Sequence, residues 1–473
     1  MPGMRCTKIV ATVGPASRRP DVLEAMIREG VDVVRLNFAH GSPAEHAETV
    51  RMVRAAAERV GRQVAVLQDV PGPKLRLGPV AGGVVELGAG EEVVLTTERI
   101  EGDKERLPVA WPGIAELMKE GDVAYLADGA IRLRVTGVAD GEVRTLVEVG
   151  GSVASRQGMN LPNVTLALPA VSDDDLALID AGIEMGVDLI ALSFVRRPED
   201  LEPVRERLRQ HGRDLPLIAK FEKPQATRSA EAIIKAADGI MVARGDLGIE
   251  LPIEDVPLVQ KRLLALAGRY AKPAITATQM LESMVHSTRP TRAEVTDVAN
   301  AIFDGTDAVM LSQETAVGAH PELVVATMAR IAERTERDLP YERWNDIRVR
   351  RDARDPAYTV AHNACVAARE LGLAALIVPT LSGRSARLIS AHRPNVPIYA
   401  LSPGKETVRR CSAIWGVTAD SMRRHEVTEE LIRDAARRAL ELGWVRPGDR
   451  VGITAGLPSG RPGTTSLLQI QQL

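Results

Sequence analysis

The chain is short of the residues that build metal clusters, disulfide frameworks and membrane spans. Its 473 residues include three cysteines, Cys6, Cys365 and Cys411, far apart in sequence. No C-x-x-C pair occurs, so the common zinc and dithiol motifs are excluded and the usage fits a reducing compartment. No stretch approaches the roughly 20 apolar residues of a membrane helix, and no signal-peptide core follows Met1. The expected location is the cytoplasm, with no membrane partner. A charge excess is missing too: 60 basic against 63 acidic residues give a net charge of −3, which argues against nucleic acid as a partner. Lysine is scarce, 10 against 50 arginines, so a lysine at a special position is informative. Neither G-x-x-x-x-G-K-[ST] nor a helix-opening G-x-G-x-x-G is present. Any nucleotide is handled without a P-loop or a dinucleotide fingerprint.

What remains is a soluble globular composition, 45% apolar and 26% charged, long enough for about three domains. Short β-branched runs alternate with amphipathic helical patterns, the signature of a parallel sheet built from βα units. Eight strands are predicted: Thr7–Gly14, Val33–Phe38, Val64–Asp69, Leu189–Phe194, Leu217–Glu222, Gly239–Arg244, Pro273–Gln279 and Asp307–Ser312. Helices are predicted between them at Pro20–Glu29, Ala44–Val60, Asp173–Met185 and Leu258–Arg269. This rhythm implies a closed (β/α)8 barrel.

Residues 71–160 break it with Gly- and Val-rich segments of period two: Val84–Leu87, Glu92–Thr96, Val123–Leu126, Arg132–Val138 and Glu142–Val149. They read as antiparallel strands of a small β-barrel lid inserted after strand three, on the face where barrel active sites form. From about residue 355 a second α/β pattern runs through Pro356–Leu371, Ala374–Pro379, Val396–Leu401, Gly416–Thr418, Arg450–Ala455 and the alternating Ser466–Gln471. The expected domains are therefore 1–70 with 161–340, 71–160, and 355–473. The charged stretch Arg343–Asp355 reads as a linker.

In a barrel, polar residues at the C-terminal strand ends share one mouth. Read in order, these are Thr12, Asn37, Asp69, Ser193, Lys220 with Glu222, Arg244 with Asp246, Thr278, and Ser312 with Glu314; Arg35 shares a strand face with Asn37. No histidine is among them. Carboxylates on adjacent strand ends suit a hard divalent cation, Mg²⁺ or Mn²⁺. Gly245 lets backbone amides approach an anion. The competing reading is a structural ion pair between Lys220 and Glu222. Arg244-Gly245-Asp246 also spells a cell-attachment tripeptide, a role that would require export. Thr291 and Glu294 read as a helix capping box. His40, in the loop after strand two, suits a ligand or an ordinary loop position equally. In the C-terminal region, Thr380-Leu381-Ser382-Gly383-Arg384-Ser385 joins a strand to a helix, either as a phosphate cradle or as a serine-capped turn.

The longer motifs carry a resemblance. Val34-Arg35-Leu36-Asn37-Phe38-Ala39-His40-Gly41, Gly239–Gly248, Ile275–Met284, Arg289–Glu294 and Asp304–Ser312, in this order, resemble pyruvate kinase, and the likeness extends over essentially the whole chain. It implies phosphoryl transfer from phosphoenolpyruvate to ADP, giving pyruvate and ATP. It implies Glu222 and Asp246 as metal ligands, with Lys220 bridging the moving phosphoryl group and the enolate oxygen. It implies Gly245, Asp246 and Thr278 at the substrate carboxylate, and Arg35 and Arg76 facing phosphoryl groups. Asn37 and His40 would line the nucleotide side, and Asp128 would arrive with the closing lid. Thr278 and Ser312 become candidates for the proton route. A phosphorylated effector at Thr380, Ser382, Gly383, Arg384 and Ser385, and a homotetramer, are implied as well.

Several positions depart from the family pattern: Ala39 for a serine, Val70 for a threonine, Lys74 for a glutamate, Gln157 for a lysine and Gln313 for a glycine. The first three touch a monovalent-cation site that would use Asn37, Asp69 and the Val70 carbonyl. A vestigial site, Lys74 standing in for the charge and no K⁺ requirement, is expected. Two rivals stand beside the kinase: a metal-dependent lyase working through the same enolate, and a non-catalytic phosphate sensor built on the C-terminal cradle.

Overall fold

Alternation of apolar residues along short β-branched runs gives strands that face helices on one side and one another on the other. In the computed structural model, which describes residues 5–73, 75–111, 113–162, 169–341, 344, 355–456 and 465–473, eight such strands close a parallel barrel. They are β1 (Lys8–Thr12), β2 (Val33–Asn37), β3 (Ala65–Val70), β4 (Leu189–Leu192), β5 (Leu217–Phe221), β6 (Gly239–Ala243), β7 (Ala274–Ala277) and β8 (Ala308–Leu311). Each pairs with its sequence neighbour, and β8 returns to β1. All eight predicted strands are present, seven of them shorter than predicted and β3 displaced by one residue.

Ser42 and Ser172 cap two of the predicted helices through capping boxes, and proline stands in the first turn of the other two. Pro20–Glu29 and Asp173–Met185 have the predicted ends, and the other two predicted helices begin one or two residues earlier, at Pro43 and Val256. Thr291 and Glu294 form the expected capping box of Arg292–Phe303. Ile9, Leu36, Val66, Ile190, Leu217 and Val242 pack outward against helices, while Val10, Val33, Leu67, Leu189, Ile218 and Met241 fill the barrel interior.

Between β3 and β4 the inserted region forms a seven-stranded sheet and a two-stranded ribbon with its own apolar core. Its pairings are antiparallel as expected, with one difference. Glu92–Thr96 runs parallel to Arg106–Pro108, because residues 97–105 carry the chain back to its starting end before it pairs. Such a return leaves no period in the sequence.

The C-terminal sheet holds β9 (Ala375–Pro379), β10 (Ile398–Ser402), β11 (Val417–Ser421), β12 (Arg450–Gly456) and β13 (Thr465–Gln472), in the order β11-β10-β9-β12-β13. The alternating last strand is an antiparallel edge. This layer sits against the N-terminal end of the barrel, opposite the mouth. Lys8 Nζ donates to the Val417 carbonyl at 2.8 Å, Arg409 Nε lies 2.8 Å from Asp188, and the fully buried Arg393 bonds Asp307 at 2.9 Å while stacking on Trp415. Most of the expected linker lies outside the described residues.

Candidate active site

Successive strand residues alternate between the barrel interior and the helices. Val10, Val33, Leu67, Ala191 and Ile218 all point inward. The residues two places further on are Thr12, Arg35, Asp69, Ser193 and Lys220. They turn to the same side at the C-terminal rim and meet there.

Asp69 is the hub. Its Oδ2 accepts from Arg35 Nε at 2.7 Å and its Oδ1 from Lys220 Nζ at 2.9 Å. Lys220 Nζ also donates to Ser193 Oγ at 2.7 Å and lies 2.9 Å from Glu222 Oε1. Arg35 Nη1 donates to Thr12 Oγ1 at 3.0 Å, and Thr12 donates to the Leu311 carbonyl on β8. Burial by itself would strip Lys220 of its proton, but Asp69 and Glu222 outweigh it and hold the ammonium charged. Burial likewise opposes the charge on Asp69, and there too the neighbours win: Lys220 and Arg35 keep its carboxyl below the ordinary range.

Glu222 behaves differently. Burial and the facing charge of Asp246 push its pKa up despite Lys220 and a hydrogen bond from the Phe194 amide at 2.9 Å. Two carboxylates that repel one another in a sheltered place are what a divalent cation relieves. Among the described residues, no three His, Cys, Asp or Glu side chains gather as a metal cage. A carboxylate pair completed by substrate oxygens and water is the arrangement Mg²⁺ tolerates and structural zinc does not. The donor set therefore fits Mg²⁺ or Mn²⁺.

On the next strands, Gly245 N–H donates to Thr278 Oγ1 at 2.7 Å, and that hydroxyl donates to the Ala277 carbonyl at 2.6 Å. Thr278 has a φ of 71°. For a β-branched residue this is a true outlier, costing on the order of 1–3 kcal/mol. Ser312 lies beyond β8; its amide donates to Glu314 Oε2 at 2.6 Å, and its buried hydroxyl has no partner among the described residues.

The other expected residues are less engaged. Asn37 Oδ1 accepts from the Ala39 amide at 3.2 Å. His40 is exposed, and its carbonyl accepts from His46 Nε2 at 2.8 Å. Arg76 is exposed on the lid strand Leu75–Arg76 and donates to the Arg156 carbonyl at 3.3 Å. The turn Ala127–Gly129 carries the backbone of Asp128, and Gly129 packs so closely on Ile249 that an added Cβ would lie 3.2 Å away. That contact seats this lid turn on the barrel mouth, while the side chain of Asp128 lies outside the described residues. Val70 ends β3 fully buried, and Lys74 lies outside the described residues. No hydrogen bond ties these lid and loop residues to the Asp69 cluster among the described residues.

At the opposite end of the molecule, Thr380 Oγ1 accepts from the Gly383 amide at 3.0 Å, and Gly383 enters the helix Arg384–Ala391 with φ 81°. The helix therefore has no serine cap; Ser382 is exposed and Ser385 Oγ bonds Thr465 Oγ1 at 2.5 Å. Arg384 is ion-paired with Asp355.

Two family models match the chain, "Pyruvate kinase, barrel domain" over residues 4–325 and "Pyruvate kinase, alpha/beta domain" over residues 358–471. The chain belongs to the pyruvate kinase family. It is 40% identical to a pyruvate kinase of Bacillus licheniformis over 470 residues, covering 99% of this chain and 80% of the relative. To one of Geobacillus stearothermophilus it is 41% identical over 469 residues, with 98% and 80% covered. The crystal structure of a pyruvate kinase from Cryptosporidium parvum superposes with a TM-score of 0.93 at 32% identity, covering 99% of this chain and 96% of that one. Pyruvate kinases act on phosphoenolpyruvate and ADP, so the rivals proposed for this barrel, lyase and sensor, give way to a phosphotransferase. Sequence reasoning missed Asp69 as the hub between two cations and Ser193 as a partner of Lys220. The inward parity of strand ends was the signal available for both.

Proposed function

We propose that the cluster at the barrel mouth performs the transfer through Lys220, Arg35, Glu222, Asp246 and Thr278, with Arg76 and Asp128 delivered by the lid. The observation that carries the reading is Lys220, an ammonium held charged between Asp69, Ser193 and Glu222 at the one point where interior strand ends converge. Charge spread over a phosphoryl group in flight requires fixed cations, and these are positioned before substrate arrives. Arg35, braced on Asp69 and Thr12, presents a second cation beside the first. The Asp246 amide would donate to the substrate carboxylate, joined by the Gly245 amide and the Thr278 hydroxyl once they exchange their present bonds, to each other and to the Ala277 carbonyl, for bonds to substrate. Glu222 and Asp246 would hold a divalent cation, which when bound would supply Lewis-acid stabilisation of negative charge on substrate oxygen. Lid residues exclude water that would otherwise accept the phosphoryl group. The unpartnered Ser312 hydroxyl and Thr278 border the space through which a proton reaches the enolate carbon, by way of water. The proposed setting is the cytoplasm, as a homotetramer.

Incubating the purified protein with phosphoenolpyruvate, ADP and Mg²⁺ is expected to yield stoichiometric pyruvate and ATP. Excess EDTA should abolish the yield, and added Mg²⁺ or Mn²⁺ should restore it. Pyruvate with free phosphate and no ATP would mean that the phosphoryl group passes to water, and no pyruvate at all would overturn the reading.

The proposed regulatory site is the Thr380, Ser382, Gly383, Arg384 and Ser385 turn. A phosphorylated ligand there would draw Arg384 away from Asp355, at the end of the molecule opposite the mouth. Coupling of ordinary size changes substrate affinity by roughly 5–150-fold. In a panel of sugar phosphates and nucleoside monophosphates, Arg384→Ala is expected to blunt whichever ligand activates the parent, with activity in its absence nearly unchanged. Undiminished activation would place the effector elsewhere.

A further inference from the structure

Arg244 is the member of the Arg244-Gly245-Asp246 turn to which the proposed mechanism gives no work. Its guanidinium nonetheless bonds four groups at the mouth within 3.3 Å. Ala243 and Ala277 are register partners at the ends of β6 and β7, so Arg244 and Thr278 are the first residues beyond the pairing on adjacent strands. Arg244 Nη2 donates to the Thr278 carbonyl at 2.7 Å and Nε to the Ala277 carbonyl at 3.3 Å. The Sδ atom of Met280 lies 2.8 Å from Nη2, and Nη1 pairs with Asp297 at 2.7 Å, from the helix Arg292–Phe303. The fork thus grips two successive carbonyls while its charge is matched by Asp297.

Those carbonyls flank the strained residue. With φ 71° at Thr278 and 54° at Gln279, the backbone runs through two left-handed residues that are not glycine. Such a conformation persists only when its surroundings over-determine it. Here the carbonyl of Thr278 is drawn towards Arg244. Its hydroxyl is then left facing the Gly245 amide on the other side. If the peptide relaxed to an extended conformation, carbonyl and hydroxyl would swing together and the Gly245–Thr278 pair would part.

We infer that Arg244 is a positioning residue. It holds Thr278 in the left-handed conformation that sets its hydroxyl against the Gly245 amide at the proposed substrate site, and it does so through its fork rather than its charge. A guanidinium already neutralised by Asp297 is poorly placed to bind substrate phosphate itself. A lysine could not replace it, since a single ammonium cannot span two carbonyls and a carboxylate in the same plane. The inference rests on the proposed role of Thr278 and extends it.

The test is a double-mutant cycle on kcat/KM for phosphoenolpyruvate with Arg244→Ala, Thr278→Ala and the double variant, each with its melting temperature. Misplacing a reacting group by about 1 Å can cost on the order of a hundredfold, so each single variant should lose about that much. The double should lose little more than either, because Arg244 acts through Thr278. Free guanidinium should restore part of the activity of Arg244→Ala and none of Thr278→Ala, and Arg244→Lys should stay as impaired as Arg244→Ala. Asp297→Ala, at a part-exposed side chain, keeps the fold measurable if the arginine variants do not fold, and a loss of a few-fold is expected there. Additive losses, or an Arg244→Ala variant within threefold of the parent while Thr278→Ala is impaired, would overturn the positioning role alone. A fully active Thr278→Ala would overturn the assignment of Thr278, and the inference with it.

Discussion

Lys220→Met is expected to lower kcat by at least about a thousandfold, the range seen when a preorganised donor or cation is withdrawn from a developing anion. The methionine keeps most of the volume and none of the charge. Asp69 retains Arg35 at 2.7 Å, so its half of the cluster survives. Glu222 loses the cation beside it and keeps the Phe194 amide, while Asp246 still faces it. Breaking a buried pair of this kind costs about 3–5 kcal/mol, less whatever protonation recovers. The sign follows from linkage. The pKa of Glu222 is already raised in the fold and rises further without Lys220. A group with a raised folded pKa contributes stability in acid and loses it as pH climbs through that value. Without divalent metal, the melting-temperature gap between parent and variant should therefore widen as pH rises above the ordinary carboxylate range, and Mg²⁺ should narrow it. A pH-independent gap would show that Glu222 does not sense Lys220. Near-parental kcat would remove the lysine from the reaction altogether. If the variant still protonates enolpyruvate at the normal rate, the lysine acts in the phosphoryl step alone.

The eight barrel strands were legible because each centres on a short, mostly apolar run that the fold buries, with its polar residues towards the ends, a signal that survives any register. The residues at their ends were legible for the same reason: polarity at the close of a buried strand has to point somewhere. How those ends connect was not. Asp69 reads in sequence as one more carboxylate, and only barrel closure brings Arg35 from one neighbouring strand and Lys220 from two strands away to its opposite oxygens. The left-handed backbone at Thr278 is similarly invisible, since nothing in Ala277-Thr278-Gln279 favours positive φ and the grip that enforces it comes from Arg244 and Asp297. At the other end, the turn at Thr380 offered a cradle or a serine cap. Gly383 occupies the cap position, which removes the second of these.

Activity in tetramethylammonium buffer is expected to match that in potassium, at equal ionic strength, within about twofold. The monovalent-cation site inferred from the family pattern would need Asn37, Asp69, a hydroxyl at position 39 and the Val70 carbonyl. Position 39 is alanine, so one donor is gone. Asp69 has both oxygens committed, to Arg35 at 2.7 Å and to Lys220 at 2.9 Å, and the Asn37 side-chain carbonyl already accepts from Ala39. Such a set offers an ion little beyond backbone oxygen. The sequence provides a replacement charge in Pro71-Gly72-Pro73-Lys74, where the pattern has glutamate. A unit charge about 4 Å from a phosphate is worth roughly 4 kcal/mol at an effective dielectric of about 20, enough to stand in for a bound monovalent ion. Loss of a ligand and gain of a charge then belong to one exchange, and reversing it has two steps. Lys74→Glu alone should lower kcat/KM sharply in either buffer, because it removes the charge without rebuilding the site. Adding Ala39→Ser restores the missing hydroxyl, and activity should return in potassium but not in tetramethylammonium. A tenfold or larger stimulation of the parent enzyme by potassium would show instead that Asp69 releases one of its cations to make room for the ion.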